Sequence, residues 1–269
     1  MPVVGTVARL GLTPLKGASH RHPERVEVRE HGAVGDRGWT CVERTGDGGW
    51  TVARTVRTPA LLRVGAEVPA GGGLRLRLPG RADDVVPEPT GGDEVVADYW
   101  GRPAALVLAP GPWDDALSTL VGRPVVLARV SRPGDVVYAA PVVLLTTSTL
   151  RELGRRTGTP VDDERFRSLL LVDTGDSPPF VEDSWRGGVL ATGAGPDGLR
   201  LVVGPGVARC AVVQRTPGSG ERAADDLLGA LAVDRVVDGS SGPEVVLGVG
   251  AHVARPGTLG LGDAVTLET

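Results

Sequence analysis

Two cysteines, four histidines, one lysine and 28 arginines are the side chains of this chain that could hold a metal or an anion. His20, His22, His31 and His252 lack the spacing of a zinc site, and Cys41 and Cys210 form no Cys-x-x-Cys pair. Lys16 stands in Pro-Leu-Lys-Gly, not in a Gly-Lys-Ser loop, so a Walker-type phosphate cradle is excluded. No Gly-x-Ser-x-Gly elbow occurs; Gly218-Ser219-Gly220 lacks the spacing. Acid pairs such as Asp162-Asp163 read as solvated loop charges.

What remains is a dispersed series of short motifs. Lys16 follows Thr13-Pro14-Leu15, and Gly35-Asp36-Arg37-Gly38-Trp39 comes next. Arg54 lies ahead of Pro59, with Arg57 as its close competitor. Arg165-Phe166-Arg167, Glu182-Asp183-Ser184-Trp185 and Arg209-Cys210 follow, and Pro256-Gly257-Thr258 with Gly262-Asp263 closes the series. A lone cysteine beside valines is commonly a small buried hydrophobe, which is the reading for Cys41. Cys210 differs in having Arg209 beside it, and neighbouring cations favour a thiolate. Trp39 and Trp185 read as core, and Asp36 as a turn-capping carboxylate or a partner for Arg37.

The elements that must position these residues are mostly short strands, because valine dominates the apolar positions. Alternation and turn signals predict strands over 3–10, 25–29, 38–44, 50–54, 62–68, 74–78, 94–100 and 104–109. Further strands are predicted over 142–145, 169–173, 199–203, 210–213 and 263–267. Helices are expected over 113–121, over 149–156 with a Thr149–Glu152 capping box, and over 223–232. The stretch 79–93 is rich in Pro, Gly and Asp and reads as a linker. The fold class is therefore mainly β, α+β at most, a barrel or sandwich of short strands in two parts, 1–85 and 94–269, on either side of the candidate linker.

Composition narrows the function. With 269 residues the chain can bury a sizeable core, and its 40 Gly and 22 Pro fit many turns. Aromatics at 3% disfavour a carbohydrate-binding or RNA-stacking surface, and a net charge of −4 argues against a nucleic-acid partner. No basic n-region precedes an apolar stretch, and no apolar run reaches 18 residues, so a cytoplasmic protein without a membrane partner is expected. In that compartment the two cysteines would be free thiols. Asn and Ile are absent, and Lys16 is the one lysine, a pattern consistent with GC-rich coding.

The order and spacing of the seven motifs resemble the MOSC superfamily, the C-terminal domain of molybdenum-cofactor sulfurases. More closely they resemble the two-part proteins with an N-terminal barrel ahead of that domain, which include the mitochondrial amidoxime-reducing component. The matches are Thr13 to Gly17, Gly35 to Trp39, Trp50 to Arg54 with Pro59, Arg165 to Leu169, Glu182 to Trp185, Arg209-Cys210, and Pro256 to Asp263. The resemblance implies a molybdopterin-type molybdenum cofactor, with Cys210 as metal ligand and catalytic residue. It implies Lys16, Arg37, Arg54, Arg167 and Arg209 as cofactor-binding residues. It further implies an oxidoreductase that reduces N-hydroxylated small molecules with electrons from a separate electron-transfer protein, since two cysteines cannot build an iron–sulfur centre. Leu169 stands where those relatives carry Asn, and Gly17 where they carry Ser. A sulfur or cofactor carrier using Cys210, or a non-catalytic relative with an altered anion pocket, therefore stand beside the oxidoreductase as alternatives.

Overall fold

The computed structural model describes residues 1–193, 198–239 and 242–268. Five strands close a barrel: Trp39–Arg44, Trp50–Val52, Glu94–Tyr99, Arg102–Leu108 and Val126–Val130. Val42, Val52, Ala97, Tyr99, Ala104, Leu106 and Ala128 fill its interior. The period-two alternation that buries them leaves Val96 facing solvent.

A second sheet has eight strands. Its order is Val142–Thr146, Leu170–Asp173, Val3–Leu10, Ala264–Glu268, Val189–Thr192, Leu199–Ala208, Gly242–Arg255 and Val236–Gly239. Val142–Thr146 also pairs with Gly242–Arg255, which closes the sheet on itself. Two three-stranded sheets flank these rings. One joins Gly257–Gly260, Arg25–Arg29 and Gly32–Ala33; the other joins Gly65–Glu67, Leu74–Arg77 and Asp84–Val86. The helices are Pro112–Val121, Thr147–Thr157 and Leu227–Ala232. The architecture is mainly β and contains a closed barrel, as the sequence leads one to expect.

Several local expectations are corrected. Residues 210–213 form no strand: Cys210 precedes a single 3-10 turn, Ala211–Gln214. The side chain of Gln214 ends that turn by donating to Asp226 and accepting from the Leu227 amide. The 62–68 strand shrinks to Gly65–Glu67, because Pro59 starts a 3-10 turn over Pro59–Arg63. The supposed linker contains the strand Asp84–Val86, whose Val86 is buried. Helix Thr147–Thr157 is capped by Thr146, not by a Thr149–Glu152 box. The Thr149 hydroxyl instead donates to buried Glu182, and Glu152 pairs with Arg155 and Arg156. The 14-residue strand Gly242–Arg255 is not visible as a pattern, since Gly248 and Gly250 interrupt its alternation. Asp163 is no solvated loop charge: it is buried and pairs with Arg9 at 2.7 Å.

Strands from before and after residues 85–94 share sheets. Trp39–Arg44 and Trp50–Val52 share their barrel with strands after residue 93, and Val3–Leu10 lies inside the eight-stranded sheet. The candidate site residues draw on both sheets: Arg54 follows Trp50–Val52, and Arg209 follows Leu199–Ala208.

Candidate functional site: a cationic cavity with a cysteine in its wall

Lys16, Arg37, Arg54, Arg167, Arg209 and Cys210 all line one cavity of about 460 Å³. That volume suits a small organic ligand. Five cations and one carboxylate, Glu244, face the same space.

Each cation is placed by its own turn. Lys16 follows Leu15, which bridges to Trp39, and its amide donates to the Trp39 carbonyl at 2.8 Å. Gly17 then turns the chain at φ 90°, a left-handed conformation that a Ser side chain rarely adopts. Asp36 accepts from the Thr13 amide at 2.8 Å, which ties the Lys16 loop to the Asp36-Arg37 turn. Arg37 pairs with Asp36 and reaches the Arg167 carbonyl. Arg54 ends its barrel hairpin and lies 4.4 Å over the ring of Trp100. Arg57 is exposed and lies outside the cavity lining, so Arg54 is the arginine at the site.

Four non-glycine residues among those described adopt positive φ, and three of them line this cavity: Arg37, Trp100 and Arg167. Such conformations cost energy and persist where surrounding structure imposes them. Arg167 caps the 3-10 turn Asp163–Phe166, and its Nη2 is buried without a hydrogen-bond partner. Arg209 is different. Its guanidinium donates to the Phe166 and Leu247 carbonyls and lies over the Phe166 ring. It therefore braces the wall beside Cys210 with most of its donors engaged. Cys210 itself is exposed, and Cys41 is buried in the core.

Charge is crowded here. Lys16 is half-buried by area because one flank faces the cavity, while its ammonium lies deep in the protein. It donates to the Tyr99 hydroxyl at 2.8 Å and makes no ion pair among the described residues. Burial, followed by the charges of Arg37 and Arg167, pushes its amine down to about 7. Burial also pushes Arg167 and Arg209 down to about 10, so both stay charged at neutral pH. His20 lies near Arg167 and Arg37, and burial holds it well below its ordinary range, hence neutral. These are cations held without their full complement of counter-charge, and an anion entering the cavity would relieve them.

The burial of Lys16 has a consequence for stability. The unfolded chain protonates Lys16 near 10.5 and the folded chain near 7, so the unfolded state binds more protons between those values. Stability is then expected to rise with pH across the window, by about 1.4 kcal/mol per pH unit at most. Below about pH 7 the cost is complete. Tyr99 and Cys41 are both pushed up to about 12 by burial and act in the opposite sense at higher pH. Urea unfolding should therefore be compared between pH 7 and 8.5, with Lys16→Met as reference. The variant should lose the rise; equal slopes in both proteins would show that Lys16 keeps its usual basicity.

Sequence reasoning missed Tyr99, Trp100 and Tyr138, all of which line the cavity. One signal was available: the chain has two tyrosines, and both are here. Trp39 and Trp185 are core residues, and Asp36 is structural, as their contexts indicate.

A mainly β scaffold brings buried cations to one cavity with a thiol in its wall, an arrangement that could accept an anionic ligand. Comparison with known families places the chain. The MOSC N-terminal beta barrel domain matches residues 4–99, and the MOSC domain matches residues 119–266. The chain belongs to the MOSC domain family, whose members are associated with molybdenum-cofactor binding or sulfurase-related function. Among solved structures, the YuaD protein from Bacillus subtilis is similar over 98% of this chain and 94% of its own, at 10% identity and a TM-score of 0.46. No curated protein matches. No helix among the described residues is long and apolar enough to cross a membrane.

Proposed function

We propose that this chain binds a molybdopterin-type cofactor, with Cys210 as the protein ligand to molybdenum, and reduces N-hydroxylated small molecules using electrons from a separate protein. The observation that carries this reading is the convergence of six dispersed residues, five cations and one thiol, on a single cavity.

The residues fit such a group. The buried, unpartnered Nη2 of Arg167 and the ammonium of Lys16 call for an anion such as a phosphate. Arg37 and Arg54 add charge around the same space, and Arg209 braces the wall that carries Cys210. A thiolate is a soft ligand suited to such a metal. When bound, the cofactor supplies two-electron chemistry at the metal. The net change in the substrate is N–OH plus two electrons and two protons, giving N–H and water. Lys16 Nζ, hydrogen-bonded to Tyr99 and poised near neutrality, can hold one of those protons. Leu169 is buried and offers the cavity only apolar surface, so no side-chain amide reaches the ligand from that position.

The test is a metal and pterin assay on protein purified from a host that makes the cofactor. About one molybdenum and one pterin per chain is the expected result. Metal-free protein with a persulfide on Cys210 would favour the carrier, and protein with neither would favour a non-catalytic relative.

A further inference from the structure

The cavity has two chemically distinct halves. Its depth holds Lys16, Arg37 and Arg167, and its mouth holds Trp100 and Tyr138. Trp100 is 47% exposed and Tyr138 is 52% exposed; no other Phe, Tyr or Trp among the described residues is exposed. Their ring centroids lie 5.7 Å apart at 55°. In a chain with 3% aromatics, open rings gathered at one opening are a local concentration, not a general surface property.

The backbone beneath Trp100 makes the placement more telling. Glu94–Tyr99 and Arg102–Leu108 are joined by a two-residue turn in which Trp100 has φ 58° and Gly101 has φ 75°. A turn with both central residues left-handed favours Asn or Asp followed by Gly, and a bulky residue in its first position is strained. Nothing in the barrel requires an indole there, since the side chain points away from the core that Tyr99 fills. Other contacts then hold the indole in place. Arg54 lies over its ring, and Arg102 donates to the Val137 carbonyl at 2.9 Å, which fixes the hairpin against the segment bearing Tyr138. Strain kept at an exposed aromatic, and braced from two sides, is the signature of a residue held for contact with a ligand.

We propose that Trp100, packed against Tyr138, is the specificity-determining residue of this cavity and selects substrates with a flat, uncharged aromatic or heteroaromatic ring over aliphatic ones of equal size. This rests on the reading of the cavity as a substrate site. The ring would lie against the indole at the mouth, with the reacting group directed inward toward Cys210. An indole face binds flat rings more strongly than aliphatic groups of similar area.

The experiment is a binding measurement that needs no turnover. Full-length protein is titrated with benzamide and with cyclohexanecarboxamide, which are uncharged, similar in size and differ in flatness. Benzamide is expected to bind about threefold to tenfold tighter. Trp100→Phe should keep most of that ratio, and Trp100→Leu should bring it to about one. Trp100→Asn suits the left-handed turn, so it should raise the melting temperature while also losing the ratio. A ratio near one in the wild type, or a ratio unchanged in Trp100→Leu, overturns the proposal. The two readings fail separately. Protein that carries molybdenum and reduces N–OH compounds without a flat-ring preference refutes only the role of Trp100. A preference without molybdenum refutes only the redox reading.

Discussion

Replacing Cys210 by Ser is expected to remove bound molybdenum almost completely, by about tenfold or more relative to wild type, while the protein stays folded. The two halves of that statement have separate causes. At neutral pH a serine hydroxyl does not become an anionic soft ligand, so the metal loses its protein donor. The thiol is exposed, so its loss removes no core packing, and exposed substitutions of this kind shift stability by about 0.5 kcal/mol or less. Cys41→Ala supplies the opposite pattern. Cys41 is fully buried beside Trp39 and Leu127, so its truncation should cost about 1 kcal/mol of stability and leave the metal in place. Metal content per folded chain, with urea unfolding of each variant, separates the outcomes. Full retention of molybdenum in Cys210→Ser would reject the ligand assignment.

The second large effect falls on Arg165, a residue the motif contains but the cavity does not use. Its side chain is buried and donates from Nη1 to both oxygens of Asp225, at 2.9 and 2.7 Å. Its Nε donates to the Val213 carbonyl at 2.7 Å. One guanidinium thus joins the turn that presents Arg167 to the turn that follows Cys210. Arg165→Ala leaves the Asp225 carboxylate and the Val213 carbonyl without their partner. Breaking a buried pair from one side costs about 3–5 kcal/mol, and because Asp225 keeps some contact with water the lower end is expected. Urea unfolding with an unchanged slope should show it. Since the lost contact joins two walls of the cavity, molybdenum retention should fall as well, even though Arg165 touches no ligand. A change within about 0.5 kcal/mol would show that the two turns are held by packing alone.

How far these properties were legible in the sequence depends on the range of the interaction. Val26 and Val28 alternate with charged neighbours, and the strand Arg25–Arg29 has the expected bounds. Gly122 ends the Pro112–Val121 helix as its position indicates. The strand Gly242–Arg255 stayed hidden because its glycines serve close approaches to other strands, not a local pattern. At Gly248 an added Cβ would strike Leu145. The site divides the same way. Motif order identified which residues gather, but the free Arg167 and the engaged Arg209 look alike in sequence. What separates them is the supply of carbonyl acceptors from Phe166 and Leu247, one of them 38 residues away along the chain. Trp100 escaped notice because its meaning comes from a backbone conformation and from contact with Tyr138, which lies far away in sequence.

The position of Val3–Leu10 sets a schedule for making this protein. Its two sheet neighbours are Leu170–Asp173 and Ala264–Glu268. On the ribosome it emerges well before its partner at 264–268, which at about 5–20 residues per second follows tens of seconds later. Until Leu170–Asp173 is made the strand has neither flank covered, and afterwards only one, while the five-stranded barrel, whose last strand ends at Val130, can already close. A nascent chain stalled near residue 170, with the barrel strands clear of the ribosomal tunnel and Leu170–Asp173 still inside it, should therefore yield a compact barrel with a free apolar arm, a natural target for a ribosome-associated chaperone.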